Sequence, residues 1–236
     1  MSHRSQGPKP GMESPVRQWL VLGLSFGLAV WLWHTWLLFP IKLFVVLLHE
    51  LSHGLAALMV GGSIVSLEVN IRLGGSCRYL VPEGTLQRLL VTSAGYLGSM
   101  AGGGLLLWLT CRSRRPRSIT LVLGLLMAVP GLLFLSSGEW FGLLFVTLFG
   151  GGLILAWRYL PERFHGYLLK FLALTSCLYV IVDIKADLID RTVTGSDADV
   201  IASLTGIPAV LVGLAWACIA LVVLGTILRF CLRSRR

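Results

Sequence analysis

Residues Leu47-Leu48-His49-Glu50-Leu51-Ser52-His53-Gly54-Leu55 place an H-E-x-x-H pattern inside an apolar run. On a helix, residues four apart lie about 40° apart around the axis, so His49 and His53 share a face. Glu50 flanks that face, about 60° from His53. Two neutral imidazoles can grip one zinc ion, and the neighbouring carboxylate can take a proton from water beside it. Apart from the motif, residues 43–60 are almost entirely Leu, Val, Ala, Phe, Met and Gly. Ionisable side chains inside a membrane are costly and mark function. The pattern therefore points to zinc-dependent hydrolysis within a membrane.

Two histidines leave such a centre incomplete, because catalytic zinc usually takes three protein ligands. No third histidine is well placed. His3 is near the N-terminus, His34 is in the preceding apolar run, and His165 is beside Pro161. The acidic candidates are better. Thr175, Tyr179, Asp183 and Asp187 recur every fourth residue and line one helical face. Asp183 is the expected third ligand, with Asp187, one turn further along, as the alternative. Asp197 and Asp199, in Thr194-Gly195-Ser196-Asp197-Ala198-Asp199, read as caps for the last helix.

The elements that must position these groups are membrane helices. Apolar runs predict spans at about 19–39, 41–60, 89–111, 118–135, 140–157, 167–184 and 207–232. The motif lies on the second, which Gly61-Gly62 should cap. Residues 64–73 then alternate polar and apolar, Gly74-Gly75 makes a turn, and Cys77–Val81 follows, which predicts a β-hairpin at the membrane surface. Ser93-Ala94-Gly95-Tyr96-Leu97-Gly98-Ser99 and Gly102-Gly103-Gly104 give the third span a small-residue surface suited to packing closely on the motif helix. The expected fold is an all-α integral membrane bundle of about six to seven transmembrane helices with a short hairpin after the motif helix. Residues 1–17 form a disordered polar tail, and 18–236 a single multi-span domain.

Composition agrees. The chain is 56% hydrophobic and 13% charged, against about 25% charged in ordinary soluble domains. The net charge of +9 does not indicate nucleic acid. Arg112, Arg114, Arg115 and Arg117, and again Arg229, Arg233, Arg235 and Arg236, sit at the ends of apolar runs, where cations face the cytoplasm and anionic headgroups. The five cysteines are scattered without a C-x-x-C pair, which predicts small buried hydrophobes, not disulfides or a zinc–thiolate site.

The run His49-Glu50-Leu51-Ser52-His53-Gly54, the Gly61-Gly62 break with its strand-like sequel, and Ser93–Ser99 together resemble the site-2 protease family of intramembrane zinc metalloproteases. The layout is most similar to its compact branch without PDZ modules. The resemblance is specific over roughly residues 41–100. It implies one zinc ion on His49 and His53, Glu50 as general base, an aspartate of a later helix as third ligand, and membrane-protein substrates in a lipid bilayer. The family's usual Asn-Pro-Asp-Gly or Leu-Asp-Gly motif around that aspartate is absent. The alternative class is a non-proteolytic membrane metal-binding or carrier protein, which should spread polar residues over several helices. Here they concentrate on the second and sixth spans.

Overall fold

The computed structural model describes residues 15–185 and 195–233. Nine helices and one hairpin are assigned among them: α1 (Pro15–Trp31), α2 (Phe39–Met59), β1 (Ser63–Val69), β2 (Gly75–Leu80), α3 (Thr85–Arg112), α4 (Pro116–Leu126), α5 (Ala128–Ser137), α6 (Trp140–Tyr159), α7 (Glu162–Lys185), α8 (Asp197–Thr205) and α9 (Ala209–Arg233). Six helical stretches among the described residues are long and apolar enough to cross a membrane: Trp36–Met59, Thr85–Arg112, Pro116–Phe134, Trp140–Tyr159, Glu162–Lys185 and Ala209–Cys231. The chain is an integral, multi-pass membrane protein.

The first predicted span breaks earlier than its hydropathy suggests. α1 ends at Trp31, and a 3-10 turn at Trp36–Leu38 leads directly into α2. Pro40 opens α2 instead of closing the helix before it, because its fixed φ suits a first turn and its missing N–H is not needed there. Lys42 Nζ donates to the Trp33 carbonyl at 2.6 Å and lies 4.7 Å from the Trp33 ring centroid, pinning the corner. The predicted fourth span divides into α4 and α5 around Met127, where Pro130 removes the N–H that a continuous helix would use. Of the predicted tail, residues 1–14 lie outside the described residues, and Pro15 already belongs to α1.

α2, α3 and α7 form the centre of the bundle. Leu43, Leu47, Met100, Leu107, Leu169, Leu172 and Cys177 are buried together in its core. Small residues set the distances. A Cβ at Gly98 would strike Ser52 of α2, and one at Gly103 would come within 3.2 Å of Cys177 Sγ of α7. In lipid, where expulsion of water does not drive helix together with helix, such close approach is the main source of packing energy.

The Gly61-Gly62 cap is a Schellman motif. Gly61 N–H donates to Leu58 O at 3.1 Å, Gly62 N–H donates to Ala57 O at 2.8 Å, and Gly61 has φ +83°. It reverses the chain so that the hairpin runs back along α2. Gly62 is at the level of Ala57, while a Cβ at Gly75 would meet Glu50 and Val46. At 1.5 Å per helical residue the hairpin descends about 10–16 Å along α2, so it is tucked beside the motif. The ladder stops at Val69, short of the expected Gly74-Gly75 turn. Asn70 causes this: its Oδ1 accepts from the N–H of Arg72 at 2.9 Å and of Gly74 at 3.2 Å, so the turn begins there.

One cysteine expectation is overturned. Cys111 of α3 and Cys231 of α9 form a disulfide with Cα atoms 5.4 Å apart. They are 120 residues apart in sequence, so their proximity is a product of helix packing and carries no local spacing signature. Cys77, Cys177 and Cys218 are free thiols.

Candidate metal centre

His49 and His53 project from the middle of α2 toward α3, one turn apart as their spacing requires. Their Nε2 atoms are 3.0 Å apart. His53 Nδ1 donates to the Val91 carbonyl of α3 at 2.8 Å. A carbonyl only accepts, so this bond fixes the tautomer: neutral His53 presents a lone pair at Nε2. The Tyr96 ring meets the His49 ring edge-on with centroids 4.7 Å apart, and the Tyr79 ring of β2 lies over His53 at 6.3 Å and 30°. Glycine makes this closeness possible. A Cβ at Gly95 would collide with Nε2 of both histidines.

The third corner of the site is Asp197. Its Oδ2 lies 3.1 Å from His49 Nε2 and 3.2 Å from His53 Nε2. The three residues form a group whose ligand atoms all fall within 4.8 Å of one another. Asp197 Oδ2 is buried and receives no hydrogen bond among the described residues. Burial alone would push this carboxyl up; the adjacent imidazoles outweigh it and hold the group down at about 2. Asp197 Oδ2 thus faces the Nε2 atoms of both histidines, and the three together form a donor set that could hold a metal ion. The size of the triangle fits zinc. Donors about 2.0–2.1 Å from a tetrahedral ion are spaced about 3.3–3.4 Å apart, close to the 3.0, 3.1 and 3.2 Å edges here.

Glu50 is buried beside this triangle at 8% exposure. Its carboxylate accepts the backbone N–H of Cys77 on β2 and lies within electrostatic reach of His49, His53 and Asp197. Gly75 leaves it room, since a Cβ there would come 2.8 Å from Glu50 Oε1. Cys77 is not among the three residues of the group. Burial and then the Glu50 charge push its thiol up to about 12, so it stays protonated.

The expected third ligand is not in this group. Asp183, on α7, is not among the three residues whose ligand atoms converge and is engaged elsewhere. Asp187 lies outside the described residues. Asp197 was expected to cap a helix, and Asp199 performs that task instead. Ser196 Oγ accepts from Asp199 N–H at 3.3 Å, while Asp199 Oδ2 accepts from the N–H of Ser196 at 3.1 Å and of Gly195 at 3.2 Å. This capping box fixes the start of α8 and leaves Asp197, the first helical residue, free to face α2. The signal in the sequence was there: Ser196-x-x-Asp199 is sufficient to cap the helix, which makes Asp197 a surplus carboxylate.

The sequence profile of the peptidase M50B-like family matches residues 24–227. No significant match to a curated protein or to a solved structure was found.

Proposed function

This chain belongs to the peptidase M50B-like family, and we propose that it is a zinc-dependent intramembrane endopeptidase with its centre at His49, His53, Asp197 and Glu50. The observation that carries this reading is the convergence of three metal-binding atoms at 3.0–3.2 Å, two of them, with the buried Glu50 carboxylate beside them, on a helix long and apolar enough to cross a membrane. His49, His53 and Asp197 would hold the ion, which when bound supplies a Lewis acid and lowers the pKa of water toward neutrality.

The residues of the chain divide the remaining work. Glu50 takes a proton from water as its oxygen adds to the peptide carbonyl carbon, then delivers that proton to the amine as the C–N bond breaks. The Cys77 N–H holds the Glu50 carboxylate in orientation, and the Val91 carbonyl keeps His53 in the ligating tautomer. The substrate class that fits is a segment of a membrane protein. Its helix must unwind before a peptide bond can be reached, and the hairpin edge offers backbone groups that pair with an extended chain.

Glu50→Gln separates a peptidase from a carrier. It should retain about one zinc per chain and lose at least about a hundredfold in cleavage of a membrane-protein segment, the usual range for general acid–base groups. Undiminished cleavage, or purified wild-type chain that takes up no zinc, would overturn the reading.

A further inference from the structure

A cavity of about 300 Å³ opens beside the metal centre, lined by Tyr79, Leu80, Val81, Arg88, Thr92 and Val200. Its walls come from the same elements that build the centre. Tyr79 lies over His53, Thr92 follows the Val91 carbonyl that holds His53, and Val200 is one turn beyond Asp197 on α8. The Tyr79 hydroxyl is hydrogen-bonded to Thr92, so the polar wall is fixed. Arg88 is the cavity's single cation. No acidic partner for it is found among the described residues, in contrast to Arg78, which pairs with Glu68 at 2.8 Å.

We propose that this cavity is a substrate subsite that takes an acidic side chain, paired with the Arg88 guanidinium; the proposal rests on the peptidase reading. Arg88 precedes Gly95, which underlies the histidines, by about two turns of α3, or roughly 10 Å along the axis. That is the length of about three residues of extended chain. A substrate strand lying along β2, with its reacting carbonyl at Glu50, therefore brings a side chain about three residues away to Arg88. Leu80, Val81 and Val200 give the cavity apolar walls, against which the carbon stem of an acidic side chain can pack. An arginine fork donates two parallel hydrogen bonds to a carboxylate, so Asp and Glu are favoured there and Lys is rejected.

The test uses the full chain in detergent, loaded with zinc, and quenched decapeptides carrying Glu, Gln or Lys two to four residues from the cleaved bond on either side. At one of these positions the wild-type chain should cleave the Glu peptide about tenfold faster than the Lys peptide, and Arg88→Glu should invert the order. Binding of the same peptides to Glu50→Gln, followed by fluorescence anisotropy, reads the subsite without turnover. Charge-dependent binding without cleavage by the wild-type chain overturns the peptidase reading and leaves the subsite standing. Cleavage and binding indifferent to charge, or a preference unchanged in Arg88→Glu, overturns the subsite and leaves Arg88 as a headgroup anchor.

Discussion

The two sides of the metal centre are built differently. His49, Glu50 and His53 sit in the interior of α2, a helix of 21 residues pressed between glycine-lined α3 and a hairpin. Asp197 sits at the first residue of α8, a helix of nine residues bounded by Gly195 and Gly206 in the left-handed region, at φ +84° and +77°. The first side is held by packing over several turns. The second is held by a capping box and by the contacts of α8 with α3 and α9. One half is fixed by the geometry of a single helix, whereas the other depends on where a short helix docks.

The comparison breaks most visibly at Asp197. Altering the outer partners of a metal ligand costs about 10–100-fold in affinity, so Asp197→Ala, which deletes the proposed third ligand, should exceed about 100-fold. Asp183→Ala should leave zinc binding within about twofold on the same scale. Zinc titration against a competing chelator measures both. Equal losses from the two variants would dissolve the assignment of the third corner to α8.

The rigid half is tested next by Gly95→Ala. Its methyl group has no room beside the two Nε2 atoms, and zinc affinity should fall by about 10–100-fold, as for other displaced ligands. Gly102→Ala, on the same helix, places its Cβ at an ordinary 3.4 Å from Leu48 Cδ1 and should bind zinc normally. If both variants behave alike, the close approach of α3 is not what seats the histidines.

The smallest effect belongs to the cap. Ser196→Ala removes an N-cap worth about 1 kcal/mol, and zinc binding should weaken by about fivefold if docking of α8 limits it. Ser196→Thr, which keeps the hydroxyl, should restore the wild-type value. An unchanged affinity in Ser196→Ala would mean that contacts with α3 and α9 alone place Asp197.

This division also explains what could be read in advance. His49, Glu50 and His53 were legible because helical periodicity puts them on adjoining faces whatever surrounds them. The Gly61-Gly62 cap and the small-residue face of α3 were legible for the same local reason. Asp197 was not, because its relation to His53 is created by the docking of distant elements, and the periodic face of Asp183 offered a more regular pattern. The break at Trp31 was hidden by continuous hydropathy, since lipid exposure and a tight corner select the same apolar residues. The Cys111–Cys231 pair was hidden in the same way as Asp197, as two ends of different helices that meet only in the folded bundle.

The fold-back of the hairpin has a consequence for the bilayer itself. A two-stranded sheet has outer edges with backbone groups in need of partners, and hydrocarbon tolerates none of these facing it. This hairpin reaches about 10–16 Å along α2, with Asn70 and Arg72 exposed at its tip, so its open edge calls for polar partners over that length. Water and headgroups that follow the strands inward would supply those partners and thin the membrane there. A helix of another protein drifting against this flank would meet a hydrated strip, where its backbone hydrogen bonds face competition for the first time within the membrane.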